Sequence, residues 1–449
     1  MICLIKLNFS KIGGISMTEQ QKLKRASYHL FTFTISKIIS SFGAQVYAFA
    51  ISFYILQLTG SATSFATNLI CNLLPRALVA PLAGYAADKY SRKKIVIISQ
   101  LVTTLAIIGL LFVSMTYGLS LIAIYTTTVV LSIATSFTGV TFTSSITGLV
   151  DENRIQRAMS LNQISMSFAA IGSPAVGGLL YGTVSMELFL GMYIVASIIA
   201  VLLESTMNFN LFSNRKAKEE SEQKETMWES IKAGITYLKT KQVLMTMIWI
   251  SLIINFLFGA FEVGYSFILI EKLKLESQHF GFTQGAFAIG MLLFSIYFSI
   301  RKEVKFPFLV SKRGIVGLGV IMGAMAVPLL ISLSYWSVFV YYFVAMFTFG
   351  SMIIVVNTPI QVMMQKMIDD DFKGRVFSIL ESMAVALMPL GMIIFGYLYD
   401  VLPGQYILIT SAVILIGVVL VLARPSVVRK AHPELNEQKP VVEKTSTAL

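Results

Sequence analysis

The residues of this chain with chemistry to do are ionisable side chains set inside long apolar runs. Glu262 stands in Asn255-Phe-Leu-Phe-Gly-Ala-Phe261-Glu262-Val-Gly-Tyr265, a carboxyl among aromatic rings. Charge in hydrocarbon is costly, so such a group is a functional candidate by default. A carboxyl there can carry a proton in neutral form, or it can be a structural carboxylate of an outer vestibule. Glu381, in the run that follows Arg375, offers the same proton-carrying chemistry, or a partner for a loop cation. Lys37 could bind an anionic group of a substrate or repel cations; the alternative is a long stem that carries its ammonium to the interface. Arg76 suits a bond to a carboxylate or carbonyl, and Glu204, at the end of an apolar run, suits an interfacial position. Amides at Gln45, Asn68, Asn72, Asn255, Asn357 and Gln361 could line a polar cavity between the same runs. No Ser/His pair, paired aspartates or zinc-type spacing is placed for catalysis in these runs, so an enzyme is not expected.

Those side chains need elements to position them. Of 449 residues, 56% are hydrophobic and 13% charged, and the mean hydropathy is +0.76. A soluble surface needs far more charge. A spanning helix takes about 20 mostly apolar residues. Twelve runs meet that requirement: Tyr28–Leu58, Phe65–Ala87, Ile95–Met115, Leu119–Phe142, Ala158–Gly182, Leu188–Glu204, Val243–Ile270, His279–Ile300, Phe308–Ser332, Trp336–Gln361, Val376–Tyr399 and Tyr406–Ala423. At ~1.5 Å per residue, Glu262 lies about 28 Å into the seventh, in its outer third. Pro75, Pro174, Pro328, Pro359 and Pro389 would kink their helices, which membrane bundles tolerate because neighbouring groups satisfy the freed carbonyls. Most hydroxyls of the fourth run, around Thr135–Thr147, are expected to bond back to their own helix.

All of the 35 Lys and Arg except Lys37, Arg76, Lys272 and Lys274 fall on the face that would hold both chain ends. Basic residues favour the cytoplasmic side. A multi-pass protein of the plasma (inner) membrane with both termini cytoplasmic is therefore expected. The same distribution accounts for the net charge of +12 without nucleic acid. Cys3 and Cys71 make no disulfide framework, and the three histidines, His29, His279 and His432, are too scattered to suggest a metal site. Met1–Asn8 lacks the h-region and cleavage site of a signal peptide, and Met17 is an alternative start to Met1. The chain divides into an N-terminal segment 1–27, a six-helix bundle 28–204, a mixed-charge linker 205–242, a second six-helix bundle 243–423 and a tail 424–449.

The two bundles repeat. Val150-Asp-Glu-Asn-Arg-Ile-Gln-Arg-Ala-Met-Ser-Leu161 aligns with Ile368–Ile379, pairing Asp151 with Asp369, Arg157 with Arg375 and Ser160 with Ser378. The same offset pairs Gly178 and Tyr181 with Gly396 and Tyr399, and Phe42-Gly-Ala44 is echoed by Phe258-Gly-Ala260. An all-α transmembrane chain of twelve helices in two parallel six-helix pseudo-repeats resembles the major facilitator fold. In that fold substrate binds near the midplane, between halves that rock against each other.

Three motifs carry the resemblance further. Gly84-Tyr-Ala-Ala-Asp88-Lys89-Tyr-Ser-Arg92-Lys93-Lys94 resembles the family's loop signature, with Ser91 where a glycine is usual. The resemblance implies a gate: Asp88 faces the start of the eleventh helix at Gly374-Arg375, where the helix dipole attracts an anion. Gly172-Ser-Pro174-Ala-Val-Gly177-Gly178 is similar to the antiporter signature of exporting members, with Ser173 in place of a glycine. Ordinary small-residue packing is the other reading of it. Leu74-Pro75-Arg76, Gly374-Arg375-Val-Phe-Ser378 and Met388-Pro389-Leu-Gly391 resemble the macrolide-efflux branch of the drug–proton antiporters, to which siderophore exporters are related. The resemblance implies a monomer that exports small, amphipathic or apolar compounds by alternating access, driven by a proton gradient and without a cofactor. No Gly-x-x-x-x-Gly-Lys-Ser/Thr loop for ATP occurs. Proton-coupled uptake of a small nutrient and a non-transporting membrane sensor are the alternatives.

Overall fold

A computed structural model of the chain describes residues 18–212, 232, 236–238, 240–302, 304–368, 370–432 and 434. Among them run twelve long helices: α1 (Glu19–Thr59), α2 (Ala62–Lys89), α3 (Arg92–Tyr117), α4 (Leu121–Leu149), α5 (Glu152–Thr183), α6 (Met186–Ser205), α7 (Gln242–Phe267), α8 (Ser277–Ile300), α9 (Pro307–Ala324), α10 (Tyr335–Met367), α11 (Asp370–Val401) and α12 (Gly404–Leu422). Eleven of the described helices are long and apolar enough to cross a membrane, and α11 adds a shorter apolar stretch at Leu387–Val401. The protein is a multi-pass membrane protein. Residues 1–17 and most of the linker lie outside the described residues, so the choice between Met1 and Met17 is not addressed.

Helix is the only open-ended answer to such sequence, because within a bilayer every backbone N–H and C=O must be satisfied inside its own segment. The ends differ from the apolar runs. α1 starts at Glu19, well before Tyr28, with Thr18 and Gln21 forming a capping box. Hydropathy marks the part in hydrocarbon, whereas a capped helix continues into water. The expected ninth helix stops at Ala324 and resumes as a single turn, Val327–Leu330, where Pro328 removes an amide and crowds the preceding turn. Connections on one face are tight. Gly60 ends α1 at φ 59°, a left-handed position that suits glycine. Ser61 then caps α2 by accepting from the Ser64 amide at 3.2 Å.

An even number of helices returns both ends to one face, here the terminal face; the other is the far face. In the first half α1 packs on α5, α2 on α4 and α3 on α6; in the second α7 packs on α11, α8 on α10 and α9 on α12. This is the duplicated arrangement that the repeat implied. The halves meet along α2–α11 and α5–α8. Their shared core is aromatic and lies toward the far face. There Phe49 and Phe53 of α1 sit 5.5 and 6.0 Å, centroid to centroid, from Phe280 of α8.

Candidate substrate cavity and gates

Each half carries a hollow. The first, ≈ 1190 Å³ counting its mouth, is lined by Lys37, Gln45, Asn72 and Arg76 together with hydroxyls such as Ser40 and Thr135. The fold gathers these side chains by a ladder between α4 and α2. One turn apart along α4, Thr128 Oγ1 donates to Asn68 Oδ1 (3.0 Å), Ser132 Oγ to the Asn72 carbonyl, and Ser136 Oγ to the Arg76 carbonyl (3.3 Å). Thr138, Thr143, Ser144 and Ser145 bond back to their own helix as expected. Ser136 instead reaches across. Asn68 is buried and tied to Thr128, so it is a strut rather than a lining residue.

Lys37 lines the hollow, its ammonium 5.8 Å from the centre of the Phe142 ring. Its charged neighbours are Arg76 and Glu204. Glu204 stands at the end of α6, as expected, but it points into the protein. Its side chain is 0% exposed and accepts a hydrogen bond from Ser36 Oγ at 2.7 Å, while Oε2 has no partner among the described residues. Ser36 stands on α1 one residue before Lys37, and no reading of α6 alone could supply it.

The second hollow, ≈ 1070 Å³ on the same measure, is lined by Asn255 and Asn357 within a mainly apolar wall that includes Ile254, Phe258, Ile353 and Met388. Asn255 Nδ2 donates to the Ser251 carbonyl at 2.9 Å. Gln361, one turn beyond Asn357, is exposed and is not part of this lining. Lys312 also lines it, but its ammonium is bound to the Ala423 carbonyl at 2.7 Å, where it closes the end of α12.

Glu262 continues the stripe Ser251–Asn255–Phe258 along α7, little more than one turn before the helix ends. It is half-buried, and among the described residues no hydrogen bond or ion pair reaches it. Around it Phe261 stacks on Phe349 at 4.1 Å and Tyr265 on Phe280 at 5.3 Å. The backbones of Asp88, Arg375 and Glu381 are helical, but their side chains lie outside the described residues, so the expected Asp88–Arg375 gate and the role of Glu381 are untested. Around that gate, Lys89 Nζ donates to Tyr85 Oη at 2.9 Å and Arg92 Nε to the Ala87 carbonyl at 3.3 Å, satisfying the end of α2. Lys93 is half-buried on α3, and a Cβ built on Gly84 would meet nothing within 4 Å.

The far face is closed by contacts between halves. Asp400, at the end of α11, accepts from Ser61 Oγ (2.8 Å) and from the amides of Ala62 (2.7 Å) and Thr63 (3.0 Å), capping α2. Sequence reasoning missed it; the available signal was an aspartate directly after the repeat residue Tyr399, beside a serine-capped helix start. At the α5–α8 contact Ser277 Oγ donates to the Gly178 carbonyl at 3.0 Å, and a Cβ on Gly178 would collide with the Ser277 carbonyl. The Pro174 carbonyl lies equally close to Gly281, and Gly177 lies against Phe49. The Pro174–Gly178 motif therefore sits where the halves touch. Toward the terminal face the picture reverses. Leu78 and Leu82 of α2 and Ile164 and Phe168 of α5 are exposed, while Phe65, Ala66, Pro174 and Gly178 farther along the same helices are buried.

A family model described as Major Facilitator Superfamily matches residues 33–388. The chain belongs to that superfamily. This major facilitator is 22% identical to macrolide efflux protein A of Streptococcus pyogenes over 91% of its own length and 99% of the relative's. It is 23% identical to the multidrug efflux pump Tap of Mycolicibacterium fortuitum, over 89% and 96% of the two chains. Among solved structures, a bacterial homologue of the iron transporter ferroportin in its inward-facing state matches with a TM-score of 0.64 at 14% identity, over 91% of this chain and 100% of that one. A D-xylose–proton symporter matches with a TM-score of 0.63 at 10% identity, over 89% and 98%. The structural likenesses establish the twelve-helix major facilitator fold. The family and fold are those of membrane transporters, and this protein is one.

Proposed function

We propose that this major facilitator exports small amphipathic or apolar compounds across the plasma membrane in exchange for protons. The observation that supports alternating access is the closure of the far face by Asp400 and by the Gly178–Ser277 contact, while Leu78, Leu82, Ile164 and Phe168 stand exposed toward the terminal face. The Lys and Arg distribution makes the terminal face, with both chain ends, the cytoplasmic one. In the export cycle proposed here substrate enters from the cytoplasm, the halves 28–204 and 243–423, joined by the linker 205–242, rock against each other, and the cavity reopens outside. The efflux names of two relatives support that direction. Glu262 is the leading proton carrier, because it is a carboxyl without a fixed partner among the described residues; Glu381 is the second candidate. Asp88 and Arg375 hold the cytoplasmic gate in the outward-open state, and a monomer with no cofactor suffices for the cycle.

The test is accumulation of a labelled macrolide in pump-deficient bacteria expressing the chain, with and without a protonophore. Lower accumulation that the protonophore restores is the expected result. Unchanged accumulation with the protein present in the membrane removes macrolides. Accumulation above that of control cells, abolished by the protonophore, overturns export in favour of uptake.

A further inference from the structure

The two hollows differ in kind. The first is walled by hydroxyls and amides and holds two cations, Lys37 and Arg76. Among the described residues neither cationic group has a hydrogen bond or an ion pair; the Lys37 ammonium is met by the Phe142 ring, and Arg76 is exposed and lines the hollow. The nearby acid, Glu204, is shut away from that space and takes its hydrogen bond from Ser36. Glu204 is the one acid among the charged neighbours of Lys37, so two cations against one carboxylate leave a net positive charge within the membrane protein, and an anion between the cations relieves its cost. A guanidinium offers a fork that matches a carboxylate or phosphate, and an ammonium beside it adds a second donor. In the second half the lining cation, Lys312, is already occupied by the Ala423 carbonyl, and the wall is built mainly from apolar side chains such as Ile254, Phe258, Ile353 and Met388. The two hollows belong to halves that meet along α2, which carries Arg76, and α11, which carries Met388.

We infer that Lys37 and Arg76 form the head-group site for an amphipathic organic anion, a carboxylate or phosphate whose apolar body lies against the second half. The inference rests on the reading of this cavity as the substrate site of the exporter proposed above. A soluble organic acid and an anionic lipid share the chemistry, and the experiment separates them.

The full chain, purified in phosphatidylcholine nanodiscs, is titrated calorimetrically with ω-phenyldecanoate, with its amide and with the corresponding amine. The carboxylate is expected to bind at least about tenfold tighter than the amide, with the amine weakest. In a Lys37→Gln/Arg76→Gln double variant the carboxylate and amide are expected to bind alike. Equal or tighter binding of the amide or amine by the unmodified protein overturns the inference, and so does a carboxylate preference that survives in the folded double variant. If the variant does not fold, the three-probe series on the unmodified protein decides. Phosphatidylglycerol in the nanodisc that competes with the carboxylate identifies a lipid head group as occupant; no competition identifies a soluble acid, and both retain the anion site. Flux of the probes from proteoliposomes separates the two proposals. A carboxylate preference without flux keeps the head-group site and removes export, whereas flux of the amide without any carboxylate preference keeps export and removes the head-group site.

Discussion

Replacing Asp400 asks whether one carboxylate holds the far face shut. Its two oxygens take three hydrogen bonds from the first turn of α2: Ser61 Oγ at 2.8 Å, the Ala62 amide at 2.7 Å and the Thr63 amide at 3.0 Å. The donors belong to the first half of the molecule and the acceptor to the second, so the bonds exist only while the far face is closed. A hydrogen bond to a charged group contributes roughly 1.5–3 kcal/mol, and a negative charge at a helix N-terminus adds about 0.3–1 kcal/mol. The site is exposed, so water replaces part of each bond when the face opens. Ser61 also keeps its own capping bond to the Ser64 amide in either state. Taking the low end on those grounds gives about 2 kcal/mol for Asp400→Ala, roughly a thirtyfold shift toward an open far face. Asp400→Asn keeps one oxygen acceptor without the charge and is expected to shift the balance by about 1 kcal/mol, roughly fivefold. Spin labels at Tyr117 and Ile331, both exposed on the far face, report the opening by pulsed dipolar spectroscopy once Cys3 and Cys71 are replaced by serine. The long-distance population should grow from the unmodified protein through Asn to Ala. An Ala variant whose distance distribution matches the unmodified protein refutes the latch.

A methyl group at Gly178 meets the Ser277 carbonyl; overpacking of this kind costs about 1–3 kcal/mol. Gly178→Ala should therefore widen the same far-face distances and slow transport, while Gly84→Ala, with open space around it, leaves the melting temperature unchanged. Glu262→Gln is expected to abolish protonophore-sensitive export yet leave energy-independent counterflow of substrate intact; a variant that still pumps against a gradient removes Glu262 from the coupling step. His432 Nε2 accepts the Phe308 amide at 3.2 Å at the start of α9, and burial holds its pKa below the usual 6.5. The unfolded chain then binds the proton first, so this contribution is complete above pH 6.5 and is lost as pH falls below it. His432→Gln keeps an acceptor that does not titrate, and its melting temperature should fall less on acidification from about pH 7.5 to about pH 5.5 than that of the unmodified protein.

The twelve helices were legible because a run of helix length with no alternation has one solution in a bilayer. Their ends were not, since capping at Thr18 and the break before Pro328 act outside hydropathy. The lining was legible only in part. Asn68 and Asn72 are the same residue type one turn apart on α2, yet one is buried on Thr128 and the other lines the first hollow. That difference is set by the register of α4 against α2, which no single run encodes. Glu204 reads as a helix-end residue because it closes an apolar run; that it is buried against Ser36 of another helix has no signal in that run. Asp400 went unnoticed because its partners are backbone amides, which have no residue signature.

The repeat explains why fold outran function in the sequence. Gly178 and Gly396, paired by one offset, do the same job: the first lets α5 approach Ser277 at the start of α8, and the second lets α11 approach Ala62 at the start of α2. Positions that hold the two halves together are thus nearly the same in both. The lining residues break that symmetry. Aligning Phe42-Gly-Ala44 on Phe258-Gly-Ala260 sets Ile253 opposite Lys37, Phe261 opposite Gln45, Ile39 opposite Asn255 and Val46 opposite Glu262. Each charged or amide candidate on α1 and α7 aligns with an apolar residue in the other half, so the first hollow is cationic and hydroxylated and the second is mainly apolar. A substrate that fills both must itself be two-ended, and a proton carrier placed in one half alone makes the two ends of the transport cycle chemically different.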